Sequence, residues 1–67
     1  MKGDFKVGDL VRTLTREYVA PVGTHGIVTN IIKYSPYVTL IRVQLMIEPP
    51  AALEFVRKDL RIVSRAG

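Results

Sequence analysis

Turn-forming residues cut this chain at short intervals. They stand at Gly8-Asp9, Pro21 to Gly26, Ser35-Pro36, Glu48-Pro49-Pro50 and Arg57-Lys58-Asp59, and short runs rich in Val, Ile, Leu and Thr fill the gaps. Glycine reaches positive φ, proline fixes φ and donates no hydrogen bond, and Asp and Ser bond nearby backbone, so each cluster ends the run before it. No helix of useful length fits between them. Several short β-rich runs at this spacing read as an all-β barrel or sandwich. The chain has 67 residues and no cysteine, which leaves room for one small domain. Below about 70–80 residues a single core supplies only about 3–5 kcal/mol. Doubly wound sheets and eight-fold barrels need far more chain. Disulfides and thiolate-held metals are excluded as supports, so stability has to come from good packing or from association.

Five strands are expected, over Asp9–Thr13, Gly26–Lys33, Val38–Ile47, Leu53–Val56 and Leu60–Val63. In the first, the two-residue period sends Leu10 and Arg12 to one face and Val11 and Thr13 to the other. The apolar residues of the second change phase between Ile27-Val28 and Ile31-Ile32, which predicts a bulge around Thr29 and Asn30. The third has Thr39, Ile41, Val43, Leu45 and Ile47 on one face and Val38, Leu40, Arg42, Gln44 and Met46 on the other. With both faces substantially apolar, it is expected to be covered on each side, by its own barrel and by something else. A polar stretch from Thr15 to Gly23 forms a real loop, and the ends, residues 1–5 and 64–67, are expected to be short and flexible.

Val7-Gly8-Asp9-Leu10-Val11-Arg12, followed by Gly23-Thr24-His25-Gly26-Ile27-Val28-Thr29-Asn30-Ile31, resembles the opening of an SH3-like barrel of the KOW type. Gly23, Gly26, Val28 and Ile31 fill that family's Gly-x-x-Gly-x-Val-x-x-Ile pattern. Phe55 to Val63 is similar to its last two strands, joined by a single 3₁₀ turn. The resemblance implies one all-β domain over residues 1–67, a small five-stranded SH3-like barrel whose closure removes exposed strand edges. It does not choose a function, because such barrels serve as RNA-contacting modules, as subunits of larger complexes and as small proteins of other kinds. RNA-binding members have several Lys and Arg in the first loop; here Arg16 stands alone beside Glu17. A second resemblance is to the plasmid-encoded type of dihydrofolate reductase, an oligomeric SH3-like barrel with a pore-lining Val-Gln-Ile-Tyr segment. Val43-Gln44-Leu45-Met46 matches its beginning, with Met46 in place of Tyr and no Trp anywhere in the chain.

Ten Lys and Arg against six Asp and Glu give a net charge of +4, enough to permit an anionic partner and also ordinary for the solubility of a small domain. Arg12, Arg42, Arg57, Lys58, Arg61 and Arg65 are the candidates for nucleic-acid contact if the fold brings them to one face. The competing reading is solvated charge guarding a short terminal strand. His25, the only histidine, lies between Thr24 and Gly26 and lacks the companions a metal would need. Asp4, Asp9, Glu17, Glu48, Glu54 and Asp59 are scattered, mostly at turns, and Asp9 reads as a turn residue and not a general base. Ser35 and Ser64 have no His or acid near them in sequence. No catalytic residue, metal or cofactor is therefore expected.

Apolar surplus is the more unusual feature. A domain of this size buries about twenty apolar side chains, and a chain that is 48% hydrophobic offers more. Such a surplus marks a protein interface. The expected contact residues are Tyr18, Tyr34, Tyr37, Leu40, Met46, Pro49 and Pro50. The function expected is a non-catalytic binding module that self-associates or joins a larger complex, with a nucleic-acid partner as the alternative. The polar start Met1 to Lys6 has no apolar signal segment, and no apolar run approaches a membrane span, so the expected compartment is the cytoplasm.

Overall fold

A computed structural model describes residues 4–66 of the chain. Its elements are β1 (Leu10–Thr13), β2 (His25–Ser35), β3 (Val38–Leu45), β4 (Ala51–Phe55) and β5 (Leu60–Ser64), with a 3₁₀ turn at Arg57–Asp59 between the last two. All pairings are antiparallel, in one sheet ordered β4-β3-β2-β1-β5. The all-β reading and the five strands stand, with boundaries shifted by a few residues. β3 stops at Leu45, although the Met46 amide still donates to the His25 carbonyl at 2.9 Å. β4 starts earlier than expected, at Ala51, because Ala51 and Ala52 lie opposite Leu45 and Gln44.

Connectivity curls this sheet. Laid flat, five strands would hold their edges about 19 Å apart. The edge strands β4 and β5 are nevertheless joined through a three-residue 3₁₀ turn, and such a turn advances only about 6 Å. Phe55 of β4 and Leu60 of β5 accordingly meet in one core with Val11, Ala20, Val28, Ile41, Val43 and Leu45. Phe5, Ile31, Ile47, Leu53 and Ile62 pack against that core. No β4–β5 ladder forms among the described residues, so the curl draws the two edges together without abolishing them.

The core is also smaller than expected. Eight apolar side chains are buried and five more lean on them among the described residues, short of the twenty or so anticipated. β3 accounts for much of the difference. Ile41, Val43 and Leu45 are buried, whereas Arg42, Gln44 and Met46 on its other face are exposed and Leu40 is half-buried. That outer face carries no covering layer from the described chain.

Two bulges fit β2 to β3. Pairing runs Val28 to Val43 and then Asn30 to Arg42, so Thr29 is the extra residue; a second shift between Lys33 and Ser35 leaves Tyr34 unmatched. The first lies where the apolar phase changes, and it lets Val28 and then Ile31 both serve the core. Gly26 allows the same two strands to approach closely. A Cβ there would sit 2.8 Å from the Gln44 carbonyl oxygen and would also strike the Val43 side chain. Gly8 and Gly23 take φ of +99° and +91°, the left-handed region that glycine reaches without steric cost.

The short strand β1 and the residue before it turn Asp9, Val11 and Thr13 inward, and all three are fully or almost fully buried. Asp9 accepts from the Lys6 amide at 2.9 Å through Oδ2 and from the Ala66 amide at 2.7 Å through Oδ1. Its own amide donates to the Lys6 carbonyl at 3.0 Å and its carbonyl accepts from Val28. Thr13 Oγ1 accepts from the amides of Gly23 and Thr24, each at 3.2 Å, and donates to the Pro21 carbonyl. Toward the ends of the chain, Phe5 packs against the core and the Ala66 amide donates to Asp9; residues 1–3 and 67 lie outside the described residues.

Replacing Asp9 by Asn turns one buried acceptor into a donor facing another donor. Urea denaturation is expected to show Asp9→Asn less stable by about 1–3 kcal/mol. Gly26→Ala places a methyl group against backbone and is expected to cost at least as much, about 1–3 kcal/mol or more.

Candidate functional site

Pro36 and Tyr37 form the loop of the β2–β3 hairpin, and Ser35 fixes it. Its Oγ accepts from the Tyr37 amide at 3.2 Å and the Val38 amide at 3.1 Å, the local bonding by which Ser favours turns. Proline at the next position removes a donor and fixes φ. Tyr37 is thereby presented on a short, restrained loop with 94% of its surface exposed, beside Tyr34 at 74% and the exposed Val38. Tyr34 owes its exposure to the second bulge, which leaves it without a partner across the ladder.

Beside this hairpin runs a shallow groove of about 230 Å³. Pro36, Tyr37, Val38 and Thr39 form one wall, and Val56 and Arg57 at the start of the 3₁₀ turn form the other. A second groove of about 210 Å³ continues past Thr39 and Arg57 to Asp4, Phe5, Ile31, Lys33 and Ile41. Arg57 belongs to both, and its guanidinium lies 3.5 Å from the Asp4 carboxylate. The result is a trough of mixed polar and apolar lining, with two cations, Arg57 and Lys33, and one anion, Asp4.

Six of the seven expected contact residues fall into two groups at opposite ends of the sheet. Tyr34 and Tyr37 lie at the hairpin end. Met46, Pro49 and Pro50 lie beyond the other end of β3, all exposed, about 25 Å away at the usual rise per strand residue. Tyr18 belongs with that second end, since the first loop leaves β1 and enters β2 there. It stands fully exposed at the tip of a small turn closed by paired bonds between Glu17 and Ala20, at 2.9 and 3.2 Å. Leu40, half-buried opposite Ile32, lies between the groups on the outer face of β3. Residue order along the chain did not reveal that Val56 and Arg57 would face the hairpin, because the groove exists only once the 3₁₀ turn crosses beside β3.

The six basic candidates meet different partners. Arg42 is opposite Glu54 and bonded to it at 2.8 Å. Arg57 is paired with Asp4, and Arg65 donates to the Asp4 carbonyl oxygen at 2.9 Å. Lys58 is exposed on the 3₁₀ turn. Arg12 and Arg61 stand directly opposite each other across β1 and β5. His25 is exposed on β2, opposite Arg12.

Chemistry-bearing residues are dispersed. Among the described residues no three His, Asp or Glu side chains gather as a metal-binding group, and no helix is long and apolar enough to cross a membrane. Asp9 is committed to backbone amides at both oxygens. Ser35 is committed to its turn. Within Val43-Gln44-Leu45-Met46, Val43 and Leu45 point into the core, and Gln44 on the outer face donates to the Ala51 carbonyl at 3.3 Å.

Comparison with known protein families, curated proteins and solved structures finds no match for this chain.

The exposed aromatics bear little on stability, so Tyr37→Ser is expected to leave the denaturation midpoint within about 0.5 kcal/mol of wild type. A double-mutant cycle on Arg42 and Glu54, both substantially exposed, is expected to return a coupling of only about 0.2–1 kcal/mol.

Proposed function

We propose that this protein is a non-catalytic binding module that acts through protein contacts, as a homo-oligomer or as a small subunit of a larger assembly. One observation carries the reading. Tyr34, Pro36, Tyr37 and Val38 form an exposed apolar and aromatic group at and beside a restrained two-residue loop, and a groove opens beside Pro36, Tyr37 and Val38 against Val56 and Arg57. Tyrosine supplies large contact area at low conformational cost, and such residues anchor protein interfaces. A loop already fixed by Ser35 has little further order to lose on binding.

The strand order and the 3₁₀ turn between β4 and β5 support reading the curled sheet as an SH3-like barrel of the KOW type. Nucleic-acid binding through all six basic residues has less support, because Arg42 and Arg57 are already paired with acids. The reductase alternative retains only Gln44 on an exposed face; turnover of dihydrofolate with reduced nicotinamide cofactor would overturn the non-catalytic reading.

A photo-reactive amino acid in place of Tyr37 tests the interface directly. Irradiation in the native cell is expected to give discrete protein adducts whose yield is insensitive to salt in the matching experiment on lysate. Light scattering over a range of protein concentration then separates self-association from a different partner. Absence of any protein adduct at this position, with the variant folded, would overturn the assignment.

A further inference from the structure

The register of β1 places Arg12 directly opposite Arg61 on β5 and directly opposite His25 on β2. Opposed residues in antiparallel strands share a face, with Cβ atoms about 4.5–5.5 Å apart. Arg61, Arg12 and His25 therefore form a row across three adjacent strands. It lies on the outer face, because Val11 and Thr13 on either side of Arg12 are buried inward while all three members of the row are exposed.

Two guanidinium groups side by side are an electrostatic cost to the ladder. Arginine keeps its charge throughout the physiological range, and like charges directly opposite each other destabilise a strand pair. The same sheet shows the opposite arrangement elsewhere, with Arg42 opposite Glu54 at 2.8 Å. Arg57 and Arg65 also find oxygen partners, both on Asp4. Among the described residues, neither the Arg12 nor the Arg61 side chain is engaged by a carboxylate or by any hydrogen bond. Both side chains are exposed, on two short paired strands.

We infer that this row is a phosphate-binding site, in which the Arg12 and Arg61 guanidinium groups hold one phosphate group and His25 borders it. Each guanidinium offers planar, paired N–H donors suited to bidentate contact with phosphate oxygens, and the anion relieves the repulsion between them. The site goes beyond the protein contacts proposed for the hairpin: His25 and Ser35 are the two ends of β2, so the hairpin loop and the row meet that strand at opposite ends. The phosphate can belong to a free ion or to a nucleic-acid backbone.

Titration of isotope-labelled protein at low salt tests this with three probes: inorganic phosphate, a short mixed-sequence DNA duplex and a short RNA strand. The amides of Arg12, His25 and Arg61 are expected to shift, while that of Tyr37 stays in place. Arg12→Gln and Arg61→Gln are each expected to weaken binding about tenfold, the loss of one charged hydrogen-bonding group. Arg42→Gln makes the same change in net charge and is expected to alter binding by less than about twofold. In the duplex arm, each loss from the row should lower the slope of log affinity against log salt by about 0.9. Both row variants are expected to melt at or above the wild-type temperature, since a repulsion has been removed.

Binding of inorganic phosphate identifies the source as a small anion, and binding of the duplex or RNA alone identifies a polymer backbone; either supports the site. Equal losses for Arg42→Gln and Arg12→Gln would show diffuse charge and overturn it. So would the absence of shifts with every probe, or shifts confined to other strands.

Discussion

Three inward-facing residues, Asp9, Val11 and Thr13, hold the rest of the molecule in relation. Val11 belongs to the core, while the polar residues on either side of it bind backbone that no ladder reaches. Burying a carboxylate or a hydroxyl is costly unless its hydrogen bonds are made, and here they are made, with no buried side-chain polar atom left unpartnered among the described residues. Asp9 links the approach to β1 with the segment after β5; Thr13 gathers the far end of the first loop. A four-residue strand could not position so much chain through its ladder bonds alone. Specific side-chain bonds complete what its length leaves undone.

Local physics made the strands legible. Alternation along β1 and β3 sorted their residues into two faces, and the change of phase between Ile27-Val28 and Ile31-Ile32 located the bulge at Thr29. A bulge is readable because it changes which sequence neighbours share a face. The second irregularity, at Tyr34, left no such trace, since the residues around it are polar or half-exposed at the hairpin end. Thr13 gave no signal either. Threonine is common in strands, and only the folded loop supplies the two amides that its oxygen accepts.

Charge was the least legible property. Six basic residues could be counted in the sequence, but their environments depend on pairing between distant segments. Arg42 meets Glu54 twelve residues later; Arg12 meets Arg61 through the pairing of the first strand with the last. Composition makes these arginines equivalent, whereas register makes one a member of an ion pair and the other a member of a repulsive pair. The outer face of β3 makes a related point. Apolar residues on both faces of a strand show that it can be covered twice, while the supply of a second layer depends on chain that this domain spends on its curl.

The first loop has a consequence for how a fold like this can diversify. Its base is held by Thr13, and its tip is closed on itself by the paired bonds between Glu17 and Ala20. Ala20 returns to the core, but Tyr18 and Val19 between the two fastenings are exposed. The segment is therefore mechanically insulated from the sheet at both levels. Sequence at its tip can vary, lengthen or accept a grafted motif while the inward residues keep the scaffold's geometry, so recognition and folding can change independently in a chain only 67 residues long.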